Sequence, residues 1–276
     1  MKNIAFGQYY PVDSVIHRMD PRAKVVMAIL AIVCTFLCKS ALSFLAIVLF
    51  SVLLVSLSKI PLRMILKSMR PLIFVLVFTS VFSIFGSRGE PQNLLTPEHW
   101  AIKIYTDGLW KALFMVLRVL VLLTTTGILF SFTTTPIDLT DALEQIFSPL
   151  KKLRVPVHDI AMMTSIALRF IPTLMEETEK IMNAQKARGA DFQSGSLIKR
   201  AKALIPIFIP LLSSAFKRAD DLANAMDCRC YHGGEGRTKL KVFHFRASDA
   251  LALVAVTAFG VGLFLLNRVG IGYTMV

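Results

Sequence analysis

The chain has 276 residues, of which 55% are hydrophobic, and it carries a net charge of +13. A soluble domain is about 45–50% apolar, so this composition argues against an ordinary soluble protein. High apolarity combined with high basicity instead indicates a membrane protein whose charges lie on one side. The four cysteines form no spaced framework that would indicate an oxidising compartment.

Apolar segments predict five membrane-spanning helices. The first apolar block, 25–57, is too long for one span and is interrupted at Lys39, so it predicts two short helices. The third predicted span is 71–85, and a Gly/Pro-containing loop follows it. The fourth is 108–132, and the last is 249–267.

Basic residues are unevenly distributed between the predicted spans. The connection between the fourth and fifth spans, 133–247, holds 17 of the 31 basic residues. Because positive residues favour the cytoplasmic side, we expect the N-terminus and 133–247 in the cytoplasm and the C-terminus outside. The chain is thus predicted to comprise a membrane region, 1–132, a cytoplasmic-side region of amphipathic helices, 133–247, and a C-terminal transmembrane helix, 248–276.

The cytoplasmic segment opens with a predicted amphipathic helix in TTTPIDLTDALEQIFSPLKKL. Thr135 is a suitable N-cap, and Pro136 suits the first helical position. Apolar residues recur at helical spacing and predict a single apolar face. This face comprises Leu139, Leu143, Ile146 and Leu150.

Two longer helices, predicted at about 159–186 and 196–226, resemble each other in sequence. FIPTL in the first matches FIPLL in the second, and acids follow each. Both then end in Asn-Ala, two further residues, a small residue and an arginine; these are Arg188 and Arg229, 41 positions apart. We interpret this as a repeated unit: an amphipathic helix with a proline kink that terminates in an arginine. Such helices suit the cytoplasmic membrane face or a partner surface.

An arginine at the tip of a rigid helix can donate several hydrogen bonds in a fixed geometry, which fits a pocket of acids or carbonyls on another protein. Gly189 can adopt the left-handed conformation that ends a helix. A single arginine there more often only complements the helix dipole in solvent, but two matching occurrences favour docking. Other basic residues, such as Lys199, Arg200 and Lys202, could bind lipid phosphates.

Seven motifs follow one another over nearly the whole chain: HRMDPRAKVV, FTTTPIDLTDALE, PLKKLRVPVHDIAMM, IALRFIPTLMEE, AQKARGADF, IPIFIPLL and RADDLANAM. In this order they resemble the transmembrane (T) component of an energy-coupling factor transporter. This family imports vitamins and micronutrients and belongs to the ABC superfamily. The expected fold is all-α: a polytopic protein of the bacterial cell membrane with about five transmembrane helices plus long amphipathic coupling helices.

In this family, two coupling helices end in short motifs with a central arginine, commonly Ala-Arg-Gly, and each arginine docks into one of two ATP-binding subunits. The resemblance therefore implies an ATPase-docking site made of Ala187, Arg188, Gly189, Cys228, Arg229 and Cys230. The second motif departs from the pattern, since Cys230 stands where relatives often have glycine. Cysteine tolerates a positive φ less well, so the backbone geometry at this position stays open.

The resemblance also implies what the chain does. It would transmit the ATP-driven motion of two ATPase subunits to a substrate-binding S component in the bilayer, with no cofactor, metal or catalytic residue of its own. Apolar residues of the coupling helices would form the S-component contact: Leu139, Leu143, Met162, Met163, Ile166, Phe170, Leu204, Phe208 and Leu211. Packing between these helices explains any single one equally well. We expect no nucleic-acid partner, because the basic residues alternate with apolar helices rather than aromatic platforms.

Two alternatives use other functional groups. The sequence CRCYH could supply metal ligands from Cys228, Cys230 and His232, with His244 as a fourth, but no second cysteine pair is present. A different ABC-type permease that binds its own solute would need polar groups near mid-membrane, and the sequence shows few of them.

A third alternative rests on the acids Asp220 and Asp221. They could belong to a membrane-embedded enzyme that transfers lipid or prenyl groups, because such enzymes hold magnesium diphosphates with carboxylates. No second acidic motif on another helix accompanies them. Pairing with Lys217, with Arg218 or with a partner surface is the simpler interpretation.

Overall fold

The structure, a computed structural model, describes residues 9–86, 106–192, 196–233 and 243–269. The stretch 87–105, which holds most of the loop predicted after the third span, lies outside them. Every regular element in the described part is a helix, which confirms the predicted all-α class. Two compact units are distinguished, Met1–Ala142 with Val242–Val276 and Leu143–Lys241.

In chain order the helices are α1 (Pro21–Leu37), α2 (Ala41–Ser58), α3 (Leu62–Gly86), α4 (Thr106–Thr126), a π-helical segment (Gly127–Phe132), α5 (Pro136–Ile146), a 3₁₀ helix (Ser148–Leu153), α6 (Val157–Ala187), α7 (Leu197–Asp227) and α8 (Ala247–Val269). The first unit contains α1 to α4, the π-helical segment and α8. The second contains the 3₁₀ helix, α6 and α7.

Among the described residues, four stretches are long and apolar enough to cross a membrane: Ala41–Ser58, Leu62–Ile84, Gly108–Phe132 and Ala247–Arg268. They correspond to four of the five predicted spans. Helix α1 is shorter, since its 17 residues extend only about 26 Å at the usual rise per residue. This length is near the lower limit for a ~30 Å hydrocarbon core, so the fifth span stays a prediction.

The break between α1 and α2 lies at Lys39, as the sequence predicts. Ser40 is the N-cap of α2, and its hydroxyl accepts a hydrogen bond from the amide of Ser43. Asn267 of α8 joins the two helix ends. Its Nδ2 donates to the Leu37 carbonyl at 2.6 Å, and its Oδ1 accepts from the Ser43 hydroxyl at 2.8 Å. Polar groups freed by the break are thereby satisfied by a third helix.

The predicted start of the third span is wrong. Helix α3 begins at Leu62 and continues through Pro71, where the apolar run begins. Arg63, Lys67 and Arg70, which precede the predicted span, therefore lie on the helix. Proline removes only one backbone hydrogen bond, and the long basic side chains can extend toward the membrane surface. An apolar run marks the lipid-embedded part of a helix, not its end.

Helix α1 is the centre of the first unit, where it packs against α4, α8 and the π-helical segment. The shared core includes Met27, Ala28, Ile128, Phe132 and Val256. The end of the fourth span is π-helical, which the sequence did not predict. π-Helical turns are rare and occur mostly as local insertions in α-helices.

Arg118 lies within a predicted span, and it is paired inside the first unit. Its Nη2 donates to the Cys38 carbonyl at 2.9 Å, and its guanidinium carbon lies 5.1 Å from the centre of the Phe44 ring. A charge in this position is costly without partners, and these contacts supply them.

The predicted start of α5 is confirmed, because the Thr135 hydroxyl accepts a hydrogen bond from the Asp138 amide at 3.2 Å. Its predicted end is wrong: α5 stops at Ile146, and Leu150 lies in the following 3₁₀ helix. Pro149 explains why the helix ends here. Its backbone nitrogen has no hydrogen to donate to the carbonyl four residues earlier, and its ring would clash with that carbonyl.

Helices α6 and α7 match the two long helices predicted from the repeat. Each continues as one helix through its internal prolines, which are Pro172 in α6 and Pro206 and Pro210 in α7. The two helices pack against each other within the second unit.

Candidate docking site

The first candidate tip follows α6 and has a defined backbone geometry. The Gly189 amide donates to the Lys186 carbonyl at 2.9 Å, and the Ala190 amide donates to the Gln185 carbonyl at 3.0 Å. Gly189 has a φ of +86°, as its predicted left-handed conformation requires. This pair of bonds is the Schellman arrangement, which satisfies carbonyls at a helix end. It places Arg188 immediately before the turn.

The second tip follows α7 and repeats this geometry. The Cys230 amide donates to the Asp227 carbonyl at 2.9 Å, and the Tyr231 amide donates to the Met226 carbonyl at 3.1 Å. Cys230 has a φ of +55°, so the cysteine adopts the left-handed conformation that the sequence left open. Arg229 therefore directly precedes the left-handed residue of its turn, as Arg188 does.

Both arginines are exposed, as are the small residues beside them. Neither guanidinium forms an ion pair or hydrogen bond with any part of the chain that the structure describes. Each lies at a helix C-terminus, where the partial negative charge of the helix favours a cation. Each tip therefore offers, on a rigid support, five N–H donors that no described residue uses. The exposed neighbours are Ala187, Gly189, Cys228 and Cys230.

An ion pair joins the two long helices. Arg218 Nη2 on α7 donates to Glu177 Oε2 on α6 at 2.8 Å. A hydrogen bond from Ser214, followed by Arg218, lowers the pKa of the Glu177 carboxyl. The suggested pairing of Arg218 with Asp220 or Asp221 is therefore wrong, because Glu177 on the facing helix takes this role. The three-residue spacing between Arg218 and Asp221 suggested an ion pair within α7. The packing of α6 against α7 instead brings Glu177 to Arg218.

A largely apolar groove of about 310 Å³ lies between α6 and α7. Ile166 and Phe170, two of the predicted S-component contacts, line it together with Leu174, Leu222 and Met226. These two residues therefore pack between the helices and also line a surface that a partner could contact. The remaining candidates differ in exposure: Met163, Leu204 and Phe208 are exposed, whereas Leu139, Leu143, Met162 and Leu211 are half-buried.

The described residues form no assembled site for metal binding or for a magnesium-dependent lipid-transferring enzyme, the two alternatives that use other functional groups. No group of three or more His, Cys, Asp or Glu side chains there is arranged to hold a metal ion. Asp220 and Asp221 are exposed on α7, and no other described carboxylate joins them in such a group. The proposed ligands Cys228, Cys230 and His232 likewise form no such group.

A buried polar cluster at the start of α1 was missed at the sequence level. It consists of Asp20, Arg22, Lys24 and Asp249, and we refer to these four residues as the α1 polar cluster. Lys24 is only 1% exposed, although lysine side chains are mostly exposed in proteins. The available signal was Asp20 before Pro21, which marks a helix start directly beside two basic residues.

His17 lies beside this cluster, in the segment before α1. Its Nε2 donates to the Tyr10 carbonyl at 2.9 Å, and its Nδ1 is 2.7 Å from the Ser14 hydroxyl. Because a carbonyl only accepts, the neutral ring carries its proton on Nε2 and accepts from Ser14. Burial is the main cause that lowers the pKa of His17.

The sequence matches known proteins over nearly its whole length. A family model described as cobalt transport protein, CbiQ, matches residues 13–240. The energy-coupling factor transporter transmembrane protein EcfT of Ruminiclostridium cellulolyticum is 43% identical over 270 residues, covering 98% of this chain and 99% of the relative. Proteins of the same name from Lactococcus lactis and Bacillus subtilis are 44% and 42% identical, covering 98% and 97% of this chain and 100% and 99% of the relatives.

Proposed function

The chain belongs to the CbiQ family and is a multi-pass transmembrane component of energy-coupling factor type, and from this premise we propose that it couples two ATPase subunits to a substrate-binding S component. ATP hydrolysis would take place in the ATPase subunits. The chain itself would convert their closure into movement of α6 and α7. The imported substrate would be a vitamin or micronutrient bound by the S component.

The observation that carries the proposal is the duplicated helix tip. Arg188 and Arg229 each precede a left-handed residue within the same two-bond turn, and both side chains are free of partners in the described residues. Two copies of one rigid donor group suit two related ATPase subunits. A solvent-facing arginine needs neither the matching turn nor the small neighbours.

The proposed topology places the N-terminus and 133–247 in the cytoplasm and the C-terminus outside. The distribution of basic residues supports this orientation. Exposed apolar residues on α6 and α7, including Met163, Leu204 and Phe208, would contact the S component. An exposed apolar surface of this kind is typical of a protein or membrane interaction site.

The test is arginine replacement in the assembled transporter. Arg188→Ala and Arg229→Ala are co-expressed with the ATPase subunits, and the amount of ATPase recovered with the tagged chain is measured in mild detergent. We expect each single change to lower recovery, because hot-spot residues cost about 2 kcal/mol or more, or roughly 30-fold in affinity. The double change should abolish recovery.

Two exposed arginines serve as matched controls, Arg169 on α6 and Arg200 on α7. Their alanine variants remove the same charge from the same helices away from the tips, so ATPase recovery should be unchanged. Arg188→Lys keeps the charge but loses the planar set of donors, and recovery should be only partly restored. Full ATPase recovery with the double Arg188/Arg229 variant would refute docking at the tips.

A further inference from the structure

The α1 polar cluster is not used by the docking tips, yet Asp20, Lys24 and Asp249 are the most deeply buried charges among the described residues of the first unit. Lys24 is 1% exposed and the Asp249 side chain is fully buried. Removing a charge from water is costly unless it is paired and hydrogen-bonded. The contacts of these residues therefore indicate which parts of the chain they hold together.

Lys24 binds the point at which the coupling-helix region begins. Its Nζ donates to the Thr133 carbonyl at 2.8 Å, and it lies 3.5 Å from the Thr134 hydroxyl and 3.4 Å from the His17 carbonyl. Thr133 and Thr134 are buried and follow the π-helical segment directly. A lysine ammonium has three donors, and three oxygens surround this one.

Arg22 binds the point at which the same region ends. Its Nη2 donates to the Phe243 carbonyl at 2.8 Å, close to the start of α8. Asp20 holds the guanidinium in place, because its carboxylate accepts from Arg22 Nη2 at 2.9 Å and from Nε at 3.2 Å. The Asp20 carboxylate is fully buried, so this pair is a fixed feature rather than a surface contact.

Asp249 provides the countercharge from α8. Its Oδ2 accepts from the Arg246 amide at 3.0 Å, which caps the start of this helix. The Asp249 carboxylate is one of three that attract the Lys24 ammonium, together with Asp138 and Asp20. Its Oδ1 has no hydrogen-bond partner among the described residues. A buried carboxylate in this state depends on nearby positive charge, which Lys24 supplies at longer range than a salt bridge.

We propose that Arg22 and Lys24 are positioning residues that fix both ends of the 133–247 region to one turn of α1. This inference rests on the proposed coupling function and adds to it the point at which motion enters the membrane helices. Because the two residues share one helical turn, neither end of the region can shift without moving α1. Displacement of the coupling helices then moves α1 and the membrane helices packed against it together. Two flexible connections would instead absorb the displacement.

The experiment measures the distance between the two ends directly. Genetically encoded spin labels replace Ile137, in the first turn of α5, and Phe245, just before α8; both side chains are exposed. The full chain is studied in nanodiscs, alone and with its ATPases plus a non-hydrolysable ATP analogue. We expect one narrow distance in the unsubstituted chain, which the nucleotide does not broaden.

Lys24→Met alone leaves Asp249 buried without a countercharge, and such a variant can fail to fold. The decisive variant is therefore Lys24→Met with Asp249→Asn, which removes both charges and keeps an acceptor for the Arg246 amide. We expect its melting temperature to recover toward that of the unsubstituted chain, whereas the single narrow distance is lost. Arg22→Gln with Asp20→Asn should have the same effect, because asparagine retains the N-cap.

Arg18→Gln is the control, because it removes one positive charge from the same segment at a side chain that is 67% exposed. Its distance distribution should match that of the unsubstituted chain. A narrow distance in both paired variants would overturn the positioning role, whatever the docking result. Failure of the unsubstituted chain to recover ATPases would instead count against the coupling function and leave the distance measurement interpretable.

Discussion

Replacement of Gly189 by alanine tests whether the turn at the first tip controls docking. Gly189 has a φ of +86°, and among the described residues beyond its chain neighbours no heavy atom lies within 4 Å of the position where an added Cβ would be placed. The substitution therefore introduces backbone strain without a steric clash. A left-handed conformation costs an L-residue about 1–2 kcal/mol. Alanine loses about 0.5–1 kcal/mol less backbone entropy than glycine on folding, so the net cost should be about 1 kcal/mol, or roughly a 5-fold loss in the population of the native turn.

Replacement of Cys230 by glycine at the second tip should change the stability of the turn in the opposite direction. Its φ of +55° means that the cysteine already bears this strain. Cys230→Gly relieves it, but glycine loses about 0.5–1 kcal/mol more backbone entropy on folding, so the net gain should be about 1 kcal/mol or less. The two substitutions thus form a pair in which one tip is weakened and the other is strengthened.

Amide hydrogen exchange is the direct assay, because Ala190 and Tyr231 donate the outer bond of each turn. Exchange at Ala190 should accelerate in Gly189→Ala, and exchange at Tyr231 should slow in Cys230→Gly. ATPase affinity should follow the same directions. Gly233→Ala is the control, since Gly233 has a φ of +92° and no described atom near its added Cβ, but does not form either turn. Unaltered Ala190 exchange in Gly189→Ala would refute the strain argument.

Two further predictions concern the first unit. Gly260→Ala should lower the melting temperature, because its Cβ would lie 2.8 Å from Cys34 Sγ. Gly262→Ala, whose Cβ would meet no described atom within 4 Å, should have little effect. Equal melting temperatures for the two variants would contradict this. His17 predicts acid sensitivity: its folded pKa is below 6.5, so stability present above that pH is lost as pH falls through the lowered pKa. His17→Gln should flatten the dependence of melting temperature on pH in this range, and an unchanged slope would exclude His17 as its cause.

The sequence by itself determined the helical class, the positions of most helices and the repeated tip motif. Apolar run length fixes which segments can span lipid, and helical spacing marks amphipathic faces; both are local properties. The break at Lys39 and the N-cap at Thr135 could be predicted for this reason. The start of α3 could not be predicted in this way, because the polar residues Arg63, Lys67 and Arg70 belong to the helix but not to the apolar run.

Only the tertiary structure decided which charges are partners. Lysine side chains are mostly exposed, but the fold brings the distant Thr133 carbonyl within 2.8 Å of the Lys24 ammonium and buries it. Likewise, Arg218 finds Glu177 across 41 residues rather than a neighbour on its own helix. Pairing energy depends on distance and burial in space, and neither is encoded in local spacing. The left-handed turn at Cys230 also required the fold, because residue type alone argues against it.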